Sequence, residues 1–208
     1  MNTKQLRGLY AITDSHLIPE VSFDDYITRV LRGGARIIQY RDKSNDTEKR
    51  LSQARVLRGL CNQYGALLII NDDIELAVNS YADGVHLGQG DAELSDARNQ
   101  LGNNAIIGLS CYDQLESAIT AEKQGADYVA FGAVYSSPTK PDAATVSLDT
   151  LRNAKSKLSI PVCAIGGINS QNAGTVVSTG VDMIAVISDL FAHDDIQARS
   201  KALSKLFM

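Results

Sequence analysis

Gln39, Arg41 and Lys43 fall at alternate positions in the stretch IIQYRDK, immediately after two isoleucines. Side chains alternate faces along a strand, so an amide, a guanidinium and an ammonium would leave on one side, in line with Ile37. The isoleucine pair and the helix-like segments on both flanks argue for an interior strand. Three donors leaving such a strand together form an anion site. Arginine offers a planar fork to phosphate oxygens, and lysine a mobile point charge.

Two carboxylates follow in the next strand ends. Asp72 closes LLIIND, and with Glu75 three residues on it has the spacing of a helix-capping pair. Asp91 lies in the loop after GVHLG. Beside the cationic trio these acids either neutralise the cations or hold a hard metal ion. Mg²⁺ takes one or two carboxylates together with phosphate oxygens and water. Residue types alone leave both explanations standing.

Other polar residues carry less information. His86, inside GVHLG, has the form of a general base, but a histidine beside a tight turn is more often a satisfied core residue. His16 and His193 stand in polar, surface-like contexts, and no Ser–His–Asp or Cys–His arrangement can be argued from the chain. Ser110 ends a further strand, either at a site mouth or as a helix cap. The stretch 133–147, rich in Ser, Thr and Pro and containing Lys140, is a candidate lid. Gly166 and Gly167 in AIGGIN permit close backbone approach to an anion, as do the residues of AVISDL with a following helix start.

These groups need a frame. Strand-like runs recur at 8–13, 35–41, 66–71, 84–88, 105–110, 127–132, 161–166 and 182–188, with helix-like segments between them. Runs such as LLII and MIAVI are apolar throughout, as suits parallel strands covered on both faces. Ser22 with Asp25 opens one helix, and Gly65, Gly125 and Gly180 close others. Eight such units in 208 residues, about 26 residues each, predict an α/β fold: a (β/α)₈ TIM barrel in a single domain over 1–208. A doubly wound open sheet is the competing architecture, because period alone does not close a sheet. In a barrel, the polar residues above collect at the C-terminal ends of the strands, where such folds place their sites.

The bulk properties set limits. A net charge of −4 gives no field that would draw nucleic acid or an anionic membrane, so any anionic ligand is held by local donors. Cys61, Cys111 and Cys163 are odd in number and lack metal spacing, which predicts reduced thiols in a cytoplasmic protein. No window reaches eighteen apolar residues. The patterning of the outer helical faces is ordinary and leaves a homodimer open.

The motifs YAITD, QYRDK, IINDD, ADGVHLGQGD, GLS, PTK, AIGGI and AVIS, in this order from about Leu9 to Leu190, resemble those of the thiamine-phosphate synthases. ADGVHLGQ followed by an aspartate is the most specific of them. The resemblance implies a (β/α)₈ barrel enzyme, a transferase. It would join 4-amino-5-hydroxymethyl-2-methylpyrimidine diphosphate to a thiazole phosphate, giving thiamine phosphate and pyrophosphate. It further implies that Gln39, Arg41, Lys43 and Asn71 bind the pyrimidine diphosphate and that Asp72 and Asp91 are Mg²⁺ ligands. Lys140 becomes a diphosphate contact, and Ser110 lies near the pyrimidine and the leaving group. Ser137, Thr139, Gly167, Ile187 and Ser188 hold the thiazole phosphate. The implied reaction begins with loss of pyrophosphate to a stabilised carbocation, so the alternating cations act as a leaving-group clamp.

Two positions depart from the family pattern. Ser137 stands where a threonine is usual and keeps the hydroxyl. Tyr112 stands where related thiazole tautomerases carry a nearby acid–base histidine. That absence counts against the tautomerase alternative. A non-catalytic thiazole-phosphate binder would have no use for the clamp and the paired aspartates. A sugar-phosphate barrel of amino-acid biosynthesis would leave them equally unexplained.

Overall fold

The computed structural model describes residues 6–88, 90–136 and 145–208. Eight parallel strands close into a barrel in sequence order: β1 (Gly8–Ile12), β2 (Ile37–Tyr40), β3 (Leu67–Asn71), β4 (Gly84–Leu87), β5 (Ile106–Tyr112), β6 (Tyr128–Phe131), β7 (Val162–Ile165) and β8 (Met183–Val186). β8 pairs with β1 through Gly8↔Met183 to Ala11↔Val186, which removes both sheet edges and excludes the open sheet.

Period-two alternation divides each strand between two cores. One parity, including Tyr10, Ile37, Ile69, Ile106, Tyr128, Cys163 and Met183, fills the barrel interior. The other, including Leu9, Ile38, Leu68, Val85, Val129 and Ile184, packs against the helices. Both faces of each strand are therefore covered, which is why the strands read as continuous apolar runs. Each fully buried isoleucine contributes roughly 1.5–3 kcal/mol of transfer free energy.

The covering helices are α1 (Phe23–Arg32), α2 (Thr47–Tyr64), α3 (Ile74–Asn79), α4 (Leu94–Leu101), α5 (Leu115–Lys123), α6 (Leu148–Lys157), α7 (Ala173–Val177), α8 (Ser188–Phe191) and α9 (Ile196–Ser204). Their boundaries follow from side-chain chemistry. Asp46 caps α2 by accepting from Lys49 N at 3.0 Å, and Gly65 ends that helix with φ +64, a conformation glycine adopts without a Cβ clash.

At the N-terminal end of the barrel one arrangement occurs three times. Asp83, Asp127 and Asp182 directly precede β4, β6 and β8. Each accepts from a backbone N–H of the preceding strand: Leu68 at 2.7 Å, Ile107 at 2.8 Å and Val162 at 2.8 Å. Each also accepts from a cation on the even-numbered helix that leads into that preceding strand: Arg58 of α2 at 2.6 Å, Arg98 of α4 at 2.8 Å and Lys155 of α6 at 2.6 Å. One carboxylate thus joins two strands and a helix, fixing the register that sets the opposite end.

Candidate active site

The parity of β2 continues past its end as expected. Gln39 is buried in the interior beside Tyr10, in line with Ile37. Arg41 is held by its backbone: Thr13, at the end of β1, accepts from Arg41 N at 2.8 Å and donates to Arg41 O at 3.2 Å. Among the described residues the Arg41 guanidinium has no carboxylate partner. Asp42, on the opposite parity, turns outward and pairs with Lys49 of α2 at 2.9 Å. Lys43 returns to the mouth and donates to Asp72 Oδ2 at 2.6 Å.

Asp72 is not the helix cap that its spacing to Glu75 suggests. Asp73 caps α3, its carboxylate accepting from Leu76 N at 2.8 Å. Asp72 instead adopts φ +64, a left-handed conformation that aspartate tolerates better than most side chains. Its N–H donates to His86 O at 2.8 Å across the β3–β4 seam. That bond turns the carboxylate to the mouth, where Asn71 Nδ2 donates to the same oxygen at 2.6 Å.

Asp91 sits beside it, its Oδ2 accepting from Gly88 N at 2.7 Å. The two acids titrate in opposite directions. Burial disfavours charge on Asp72, but the hydrogen bonds it accepts, that from Lys43 foremost, hold it below the usual carboxylate range. Burial and the adjacent Asp72 raise Asp91. A single ammonium between two carboxylates leaves one of them under-compensated. That is the donor set a hard divalent cation fits, with phosphate oxygens and water completing its shell.

Ser110 is no helix cap either; α5 begins at Leu115, after Gln114. Ser110 lies in β5 just before a register shift against β6, and its Oγ is 2.9 Å from His86 Nε2. His86 is buried and accepts no solvent role. Its Nδ1 is 2.9 Å from the Tyr128 hydroxyl, and its ring stacks on Tyr128 with centroids 5.5 Å apart. Burial pushes the His86 imidazole down to about 4, so it is neutral at pH 7.

On the far side of the mouth Gly166 and Gly167 adopt φ +103 and +61. A Cβ on Gly167 would stand 2.7 Å from Tyr135 Cβ, so this loop lies directly against the segment after β6. Backbone bonds join the two loops, from Val134 N to Ile165 O at 2.9 Å and from Tyr135 N to Gly166 O at 3.0 Å. Ile187 packs toward the barrel interior, and Ser188 opens α8, whose first N–H groups have no acceptor within the helix. Asp189 ties the loops after β7 and β8 together, accepting from Ser170 N at 3.0 Å and from Arg199 at 2.7 Å. Ser137, Thr139 and Lys140 lie outside the described residues.

Thr13, Tyr10, Tyr128 and Asp189 were not singled out by sequence reasoning. Tyr10 and Thr13 do lie within a motif that was, YAITD, and Asp189 adjoins AVIS, and that membership was the available signal.

The fold and the mouth define a (β/α)₈ barrel that gathers cations and paired carboxylates at the C-terminal ends of its strands. The family model described as thiamine monophosphate synthase matches residues 9–190. A thiamine-phosphate synthase of Thioalkalivibrio sulfidiphilus is 52% identical over 207 residues, covering 98% of this chain and 97% of the relative. One from Nitrosococcus oceani is 48% identical over 205 residues, covering 99% and 94%. The solved thiamine phosphate pyrophosphorylase of Pyrococcus furiosus superposes with a TM-score of 0.90 at 40% identity, covering 99% of this chain and 97% of that one. The chain belongs to the thiamine monophosphate synthase family and is a transferase. No described helix is long and apolar enough to cross a membrane.

Proposed function

We propose that the chain joins the pyrimidine diphosphate to thiazole phosphate by departure of pyrophosphate before attack of the thiazole nitrogen. The observation that carries this reading is the cluster at the ends of β2, β3 and β4. There Lys43 bonds Asp72, Asp91 stands beside them, and Arg41 has no acidic partner among the described residues. Such a cluster is incomplete without an anion and a second cation. A diphosphate with its metal supplies both.

In this reading Arg41 and Lys43 hold the diphosphate and meet the charge that grows on the leaving oxygen. Gln39 and Asn71 line the wall beneath it, Asn71 also fixing Asp72. Ser110 faces the reacting carbon and its leaving group. Gly167, Ile187 and Ser188 receive the thiazole phosphate, with Ser137 and Thr139 as further contacts and Lys140 on the diphosphate. Asp72 and Asp91 would hold Mg²⁺. When bound, that ion offsets diphosphate charge and stabilises pyrophosphate as it leaves. Donors fixed before the reaction act where charge develops, and loss of one such donor typically costs ~10²–10³ in turnover. No general base is required, because the thiazole nitrogen attacks with its own lone pair.

A tautomerase would need an acid–base imidazole at the mouth. Tyr112 ends β5 at the relevant position, half-exposed and with φ +52, and His86 is below the surface in its neutral form. Nothing in the site favours that alternative.

The test is a coupling assay on purified protein with both substrates, with and without Mg²⁺, the product being oxidised to fluorescent thiochrome. Thiamine phosphate formed only with Mg²⁺ is the expected result. Bound thiazole phosphate without product would overturn the synthase reading.

A further inference from the structure

Beneath the mouth a chain of hydrogen bonds crosses the barrel interior, and most of it has no part in the roles given above. Gln39 Nε2 is 2.8 Å from Tyr10 Oη, and Tyr10 Oη is 2.8 Å from Tyr128 Oη. Tyr128 Oη is 2.9 Å from His86 Nδ1, and His86 Nε2 is 2.9 Å from Ser110 Oγ. The links join β2 to β1, β1 to β6, β6 to β4 and β4 to β5. Two of these strand pairs are not neighbours in the sheet, so their side chains meet only across the interior.

The sequence makes room for this. Gly108 on β5 stands opposite Tyr128 in the register, and a Cβ there would lie 2.0 Å from the Tyr128 ring. Any side chain at 108 would displace the tyrosine. Burying two phenols and an imidazole in a barrel otherwise filled by Ile, Leu, Met and Cys is costly unless every polar atom is paired. Apolar residues would fill the same space at lower risk, so the polar chain calls for a function.

Its chemistry is directional. Each phenol carries one proton, and so does a neutral imidazole, so fixing one link fixes all the others. If Gln39 donates to Tyr10, then Tyr10 donates to Tyr128 and Tyr128 donates to His86 Nδ1. His86 must then carry its proton on Nε2 and donate to Ser110. Ser110 Oγ is occupied as an acceptor, and its own O–H is free to point into the mouth. Reversing the Gln39 amide reverses every link, and Ser110 would spend its proton on His86 and show the site only lone pairs.

We propose that Gln39, Tyr10, Tyr128 and His86 are positioning residues that fix the proton of Ser110 outward, so that Ser110 donates a hydrogen bond to the departing diphosphate. The direction follows from the charge of the ligand: a diphosphate accepts hydrogen bonds and repels lone pairs, so only the outward proton stabilises it. The inference rests on the diphosphate reading of this mouth. Every polar side-chain atom of Tyr10, Tyr128 and His86 has its partner at 2.8–2.9 Å within this chain, so the single protons have no other place to go.

The direct test needs no substrate. Long-range ¹H–¹⁵N NMR of the imidazoles in the wild-type protein, with the His86 signal assigned by its loss in His86→Asn, reads the tautomer. Protonated Nε2 is expected, and protonated Nδ1 would overturn the proposal. In turnover, Tyr128→Phe should lower kcat about tenfold with KM within about twofold, the size expected for one misdirected hydrogen bond. The double variant Tyr128→Phe/Ser110→Ala should be no slower than Ser110→Ala alone. An unchanged kcat in Tyr128→Phe, or losses that multiply in the double variant, would overturn the relay. Should Tyr128→Phe fail to fold, the wild-type tautomer decides alone. Absence of product from the wild type would instead defeat the synthase reading and leave the tautomer measurement unaffected.

Discussion

At the N-terminal end of the barrel Asp83, Asp127 and Asp182 each accept one backbone N–H and one helix cation, whereas at the C-terminal end Asp72 and Asp91 lie side by side with Lys43. The residue types are the same at the two ends. At the floor every carboxylate is matched, and the result is a fixed register between strands. At the mouth one ammonium faces two acids, one of them raised by its neighbour, while Arg41 has no described acidic partner. Matched charges hold the fold; unmatched ones wait for a ligand. The comparison predicts that changes at the mouth alter turnover and spare stability, and that changes at the floor do the reverse.

The largest effect belongs to Asp91. Asp91→Ala is expected to cut Mg²⁺-dependent turnover ~10²–10³-fold while thiazole-phosphate binding and thermal unfolding stay close to wild type. Burial and the adjacent Asp72 both raise Asp91, so its removal relieves that strain and gives up only the exposed bond from Gly88 N, and stability should stay near wild type. Full activity of this variant at ordinary Mg²⁺ would take Asp91 out of the metal site.

Next comes the buried neutral layer between the two ends. The unfolded imidazole of His86 titrates near 6.5 and the folded one at about 4. Between these values the unfolded chain binds the extra proton. The contribution is therefore complete above 6.5 and declines as pH falls toward 4, by about 3 kcal/mol. Denaturant unfolding at both pH values should show this component in wild type and not in His86→Asn. An equal acid loss in the two proteins would contradict the buried neutral histidine. Lys43→Ala should follow, slowing kcat about 10²-fold with a smaller change in KM, because its bond to the leaving group strengthens as charge develops. A rise in KM at unchanged kcat would reduce Lys43 to a binding residue.

The frame was legible in the chain to within a few residues, since runs such as LLII and MIAVI state their own burial and the glycines close the helices where the pattern ends. Arg41 and Lys43 were legible because the period of β2 continues past its last hydrogen bond. Asp72 was ambiguous where two rules overlap. In NDD, capping spacing selects Asp72 with Glu75, but the bond from Asp72 N to His86 O imposes φ +64 and passes the cap to Asp73. A partner on another strand decided it, and a local pattern carries no such information. The interior relay was invisible for the same reason: Tyr10 and Tyr128 are 118 residues apart, and His86 and Tyr128 are 42 apart. The floor aspartates were visible as a residue repeated just before β4, β6 and β8, yet their role appears only once each N–H of the preceding strand is in register.

Those aspartates provide the smallest effect and the sharpest contrast. Asp182 Oδ2 accepts from Val162 N and Lys155 Nζ, and its side chain is only 28% exposed. Asp182→Ala leaves a strand N–H and an ammonium without that acceptor at the foot of β7, far from the mouth. A charged hydrogen bond of this kind is worth ~1.5–3 kcal/mol, and partial exposure places the expected loss near the lower bound, about 2 kcal/mol. Denaturant unfolding should register that loss with an unchanged m-value, and kcat and KM for the folded enzyme should match wild type. A fall in kcat at constant KM would mean that register errors at the floor reach the mouth, and the division of labour between the two ends would fail.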